Sequence, residues 1–166
     1  MGNNMELKQV ERNCGNCDVC CNILEVRELN KKSYCNCTYR AEGGGCGRYD
    51  TRPSICRDWN CAYILNLIPG GEEVKPNNIG LMFYPVSAKN NDLGMSMIMG
   101  QEVWKDALLT SDAQNLVKWI GKRMFVMIRH YNTEEFSYSG PKEQVEEFLI
   151  RHHNYMSKQN NLNPSS

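Results

Sequence analysis

Net charge is the first thing this 166-residue chain lacks: 19 Lys and Arg balance 19 Asp and Glu. With no global field, electrostatic recruitment of nucleic acid or of an anionic membrane is not expected. Long apolar runs are missing as well. No stretch approaches the ~20 apolar residues that a membrane helix needs. The opening MGNNMELKQVERN has no apolar core of the kind a secretory signal carries. Gly2 is followed at position 6 by Glu6, where a myristoylation motif needs Ser or Thr. These absences point to a cytoplasmic chain that takes neither membrane nor nucleic acid as a partner.

Catalytic signatures are equally sparse. There is no internal repeat, paired-carboxylate motif, nucleophile–base set or phosphate-cradling glycine loop. The three histidines are His130 in a β-rich run and His152 and His153 late in an amphipathic segment, none with a second ligand at a useful spacing.

Cysteine is absent after Cys61, yet nine crowd the stretch before it. Four lie in CGNCDVCC at 14–21, followed by Cys35, Cys37, Cys46, Cys56 and Cys61. Cytosolic thiols are kept reduced, so such density there means metal or redox chemistry. A disulfide framework fits poorly: the number is odd, and the neighbours Cys20 and Cys21 do not cross-link readily with each other. Zinc and iron–sulfur clusters both favour thiolates, and four complete a tetrahedral set or a cluster.

Spacing narrows the choice. Cys14–Cys17 and Cys17–Cys20 are overlapping C-x-x-C steps, as in bacterial ferredoxins. The fourth cysteine follows at once as Cys21, however, without the three-residue gap and the proline of a ferredoxin. No second C-x-x-C follows, so a zinc ribbon is also excluded. Cys20 and Cys21 point in different directions and can serve different metals, or act as one ligand and one supporting thiol. Two arithmetics stay open: eight ligands for two four-thiolate sites with one spare, or four for a single cluster with the others structural. All nine cysteines are candidate ligands.

The chain divides into a flexible polar N-terminus at 1–13, a single domain at 14–156, and a disordered tail at 157–166. Residues 14–68 form the cysteine-rich metal-binding part. Poor in aliphatic side chains and carrying Gly43-Gly44-Gly45, they need a metal to supply folding free energy. Residues 72–156 read as α+β. The expected fold class is therefore α+β: a metal-organised region with a short helix, packed on a small antiparallel sheet with flanking helices.

Individual elements follow from local signals. TRPSICRDWNCAYILNLIPGG reads as a helix capped by Asp50 or Thr51 and stopped by Pro69-Gly70-Gly71. Cys56 near its start would be favoured as thiolate by the helix dipole. NIGLMFYPV and LGMSMIMGQ flank SAKNND as a hairpin. Residues 102–120 carry helical periodicity with a cap at Ser111 or Asp112, MFVMIRHY pairs with EEFSYS, and Pro141 opens a last helix with Val145, Phe148, Leu149 and Tyr155 near one face. Met95, Met97 and Met99 share a strand face, which is a core stripe rather than a copper site.

At GCGRYDTRPSICR a resemblance emerges. The C-x-x-C-x-x-C-C opening followed by C-x-x-Y-x-x-R-P-x-x-C-R resembles the YkgJ-like cysteine-cluster family, a zinc- or iron-chelating domain. The matching positions are Cys14, Cys17, Cys20, Cys21, Cys46, Tyr49, Arg52, Pro53, Cys56 and Arg57, with Cys37 similar to the family's intermediate cysteine. The likeness spans roughly residues 14–61; Cys35 and Cys61 are additions to the pattern. A branch of that family holds flagellin lysine N-methylases, which implies a link to methyl transfer from S-adenosylmethionine. The radical S-adenosylmethionine spacing is absent. Four thiolates on a metal leave about two net negative charges, which Arg52 and Arg57 are placed to offset unless they pair with Asp50 or Asp58. Tyr49 reads as a packing residue beside them.

The function expected is a metal-binding protein holding zinc or an iron–sulfur cluster. The rival readings are an iron–sulfur redox enzyme, an S-adenosylmethionine-dependent N-methyltransferase-like enzyme, and a zinc-braced module that docks a protein partner.

Overall fold

The computed structural model describes residues 11–162. The chain is α+β: the described residues form five α-helices and one four-stranded sheet. Two short helices, α1 (Val19–Ile23) and α2 (Ser54–Asp58), lie in the cysteine-rich part, separated by turns. The one-turn α3 (Pro76–Ile79) leads through left-handed Gly80 into β1 (Leu81–Val86). A Cβ at Gly80 would meet the Trp104 ring at 2.5 Å, so this turn requires glycine.

β1 and β2 (Met97–Glu102) form the expected hairpin, running from the pair Leu81 and Glu102 to the pair Val86 and Met97. The chain then crosses over through α4 (Ser111–Gly121) to β3 (Val126–Arg129), which turns back into β4 (Phe136–Ser139). The sheet order is β1-β2-β3-β4. Its middle pairing is parallel, which corrects the expected all-antiparallel sheet. The reason is α4: a helical crossover returns the chain to the same end, whereas a tight turn reverses it. Thr110 caps α4 by accepting the Ala113 N–H, one residue before the expected cap.

The long helix expected over 51–68 is reduced to α2. Arg52 is held extended by the proline that follows it. Trp59 leaves the helical path, and the Ala62 N–H donates to the Phe83 carbonyl at 2.7 Å. Pairing with β1 thus overrides helix propensity. The same detour buries Cys61, Ala62 and Tyr63 against the sheet.

One core joins the two parts. Val19, Ile23, Ala62, Tyr63 and Ile68 of the cysteine-rich part pack with Leu81, Phe83, Ile98, Val126 and Ile128 of the sheet, closed by Leu116 and Ile120 of α4. On the opposite face Met95, Met97 and Met99 pack with Phe125 and with Phe148 of the last helix, α5 (Lys142–Leu162). The methionine stripe is a core face. α5 continues beyond 156, so residues 157–162 are helical rather than disordered tail, while 163–166 lie outside the described residues. Val145 packs inward as expected, whereas Leu149 is exposed. Among the described residues no helix is long and apolar enough to cross a membrane.

The expected flexible N-terminus needs correction at its last residues; 1–10 lie outside the described residues. Arg12 donates to the carbonyls of Tyr63 at 2.9 Å, Ile68 at 3.1 Å and Gly70 at 2.6 Å, with its guanidinium over the Tyr63 ring. It pins the first cysteine loop to the turn after Cys61. Arg12→Met should cost about 2 kcal/mol and lower the thermal midpoint by about 4–8 °C, read from a circular dichroism melt.

Candidate metal centre

The first cysteine loop is a tight turn in which the Cys17 N–H donates to the Cys14 carbonyl at 2.8 Å. It runs directly into α1, which carries Cys20 and Cys21. Consecutive helical residues differ by about 100° around the axis, yet these two sulfurs still lie in hydrogen-bond contact. The Cys37 N–H donates to the Cys21 carbonyl at 2.8 Å, docking Cys37 on the same helix. Cys46 pairs with Arg40 in a β-bridge, after the glycine run has folded back on the first loop. Gly44 and Gly45 have φ of +88° and +80°, and Cβ atoms there would meet the carbonyls of Asn16 at 2.6 Å and Gly15 at 2.9 Å. Only glycine permits that approach.

Eight of the nine cysteines line one cavity of about 340 Å³: Cys14, Cys17, Cys20, Cys21, Cys37, Cys46, Cys56 and Cys61. Cys35 is exposed and does not line it. All nine are free thiols. Among the described residues no three Cys, His, Asp or Glu side chains are drawn together closely enough to hold a metal ion as they stand.

The thiols are electrostatically unequal. The Cys20 S–H donates to the Cys21 sulfur, and this bond, with burial, pushes Cys20 far up. The same bond, helped by Lys31 and by a second donor at Cys46, draws Cys21 down to about 7. Burial raises Cys17, partly offset by N–H donors from Val19 and Asn77. Burial likewise raises Cys61, which is 8% exposed and accepts from the N–H groups of Ile64 and Tyr63. Amides aimed at sulfur favour the thiolate and tune a bound metal. Cys56 is raised by burial and by the charges of Cys21, Cys37 and Cys46. The expected lowering by a helix dipole fails because α2 has only five residues.

Of the expected supporting residues, Arg52 and Tyr49 line the cavity and stack, guanidinium to ring, at 3.9 Å. The enclosed Arg52 Nε has no hydrogen-bond partner, and its charge favours the Cys56 thiolate. Arg57 is exposed and does not line the cavity.

Two buried lysines escape sequence reasoning. Lys31 lies on the cavity wall at 7% exposure, its ammonium donating to the carbonyls of Asn22, Leu24 and Lys32. Lys75, 4% exposed, pairs with Glu72 at 3.1 Å and favours the Cys17 thiolate. In sequence both look like solvated lysines, and no local pattern marks them. Glu102 is also unforeseen. At 3% exposure it accepts the N–H groups of Leu108 and Tyr131, at 2.8 and 2.9 Å. His130 contacts Ser137 through Nε2 at 2.9 Å, but its Nδ1 lies 3.5 Å from a Glu102 oxygen already engaged by the Tyr131 amide. The Glu102 carboxylate and the His130 ring thus approach each other where strand ends meet, and no hydrogen bond between them aligns the imidazole as a base.

In the metal-free chain Cys21 should be alkylated ahead of Cys17, Cys20, Cys56 and Cys61. Its folded pKa is depressed, so its thiolate is present above about pH 7 and lost below it, while Cys17, Cys20, Cys56 and Cys61 stay protonated. Peptide mapping after brief iodoacetamide treatment from pH 6 to 9 checks this, with labelling at Cys21 half-maximal near 7.

Neither a family model, nor a curated protein, nor a solved structure matches this chain.

Proposed function

We propose that this chain is a metal-binding protein whose cysteine cavity holds zinc or an iron–sulfur cluster. The observation that carries the reading is the sorting of the sulfur: eight cysteines from separate loops and helices line one cavity, while the ninth is left in solvent. Thiolates are soft donors, and no other side-chain chemistry explains so many in one place inside a reducing compartment. The walls fit an anionic thiolate set. The cavity carries the buried ammonium of Lys31 and the unpartnered Nε of Arg52, and N–H groups are aimed at Cys17 and Cys61. Binding would turn the thiols inward about χ1 and expel their protons, completing a coordination set from loops that have few apolar contacts of their own. The YkgJ-like motif at Cys14–Arg57 supports the same reading and the same choice of metals.

Anaerobic purification followed by elemental analysis and a visible spectrum tests it. Brown protein with iron and sulfide, or colourless protein with zinc, is the expected result; metal-free protein that takes up neither would refute it. Cys17→Ser and Cys56→Ser should lose metal and melt at least ~10 °C lower, because metal affinity is folding free energy. Cys35→Ser should keep both its metal and its melting temperature.

A further inference from the structure

We infer that the cysteine cavity also takes a small organic anion, a carboxylate with an apolar body, whose charged end is held by Arg48 and Arg52. The inference goes beyond metal binding and does not rest on it.

The walls hold more than sulfur. Leu24, Leu29, Ile55, Trp59 and Ile64 line the same cavity, and none of these side chains can ligate a metal. Ile55 is 45% exposed, so an apolar surface continues out to the rim. A bound ion alone needs little of this space: the sphere within a metal–sulfur bond of ~2.3 Å holds roughly 50 Å³. The cavity measures about 340 Å³. That lies in the range of small-molecule sites, roughly 300–1,000 Å³, which are mostly apolar with a few placed polar groups.

The polar groups are two guanidinium ions. Arg48 and Arg52 flank the 3₁₀ turn Tyr49–Thr51, and both line the cavity. Each lies over a tyrosine ring that also lines it: Arg48 over Tyr39 at 4.5 Å, Arg52 over Tyr49 at 3.9 Å. Ring stacking holds a guanidinium in place while leaving its N–H donors free. Among the described residues neither arginine forms an ion pair with a carboxylate. The carboxylates on the same wall are engaged elsewhere, Glu25 by Arg27 at 3.2 Å and Glu28 by the Ser54 hydroxyl at 3.1 Å. Charge balance for the sulfur does not explain Arg48, which is exposed at the rim rather than enclosed among the thiols. Positioned, unpaired guanidinium groups favour a carboxylate, with which they form charge-assisted hydrogen bonds. The ligand then has its anionic end at the rim and its apolar body against Trp59 and Ile64.

Calorimetric titration of the full chain with sodium octanoate, as purified and after loading with zinc(II), tests this. Octanoate joins one carboxylate to a hydrocarbon chain and should bind saturably, one per protein. Acetate, which lacks the apolar body, and 1-octanol, which lacks the charge, should each bind at least about tenfold more weakly. Arg48→Met and Arg52→Met should each weaken octanoate by about tenfold, and Arg48→Met should keep the zinc content of the wild type. Arg57→Met, at an exposed position off the cavity, should bind octanoate like the wild type. Zinc-loaded protein that takes up no octanoate, that binds acetate or 1-octanol as tightly, or that binds octanoate undiminished in both cavity-arginine variants would overturn the inference and leave the metal reading standing. Octanoate bound with the expected selectivity by a chain that holds neither zinc nor iron would sustain the inference and overturn the metal reading.

Discussion

Sulfur gathered at one place in a protein is a problem of charge before it is one of packing. Eight thiols around a shared cavity repel one another as soon as they ionise, and burial makes each ionisation harder. The structure carries the imprint of that conflict: Cys17, Cys20, Cys56 and Cys61 are pushed up, and Cys21, which receives two S–H donors, is drawn down. On the proposed reading, a divalent ion or an iron–sulfur cluster would resolve the conflict by replacing several protons with one strong positive charge. Lys31, Lys75 and Arg52 then stand where residual negative charge would remain.

The rest of the fold presents these side chains. Neither α1 nor α2 is long enough to be stable alone. α1 lends Val19 and Ile23 to the common core, and the stretch after α2 lends Ala62 and Tyr63, so the sheet serves as the anvil against which the cysteine loops are shaped. Tyr34 adds a polar tie, donating to the Glu102 carbonyl at 3.1 Å. Arg12 holds the entry of the first loop against the turn beyond Cys61, which keeps Cys14 and Cys61 in the same neighbourhood although they lie far apart in the chain.

Much of this was legible in the sequence, and the failures have physical causes. The β1–β2 hairpin and the last two strands announced themselves by β-rich runs around turn residues, and the methionine stripe by its period of two. The parallel pairing of β2 with β3 was not legible, because strand direction depends on how α4 crosses the sheet. The helix expected after Pro53 was cut short by a tertiary hydrogen bond from Ala62 to Phe83 that no local pattern encodes. At the cavity, spacing singled out the cysteines but could not separate Cys35 from the other eight. Arg52, singled out because it adjoins Cys56, lines the cavity, whereas Arg57, singled out for the same reason, is exposed and does not. Lys31 and Lys75 were invisible, since a buried lysine is defined by what folds over it.

X-ray absorption at the edge of the bound metal, on anaerobically purified full-length chain, bears most directly on the central claim. The predicted first shell is four sulfurs at about 2.3 Å, with no light-atom ligand. A shell dominated by nitrogen or oxygen, or protein with no metal to absorb, would contradict it.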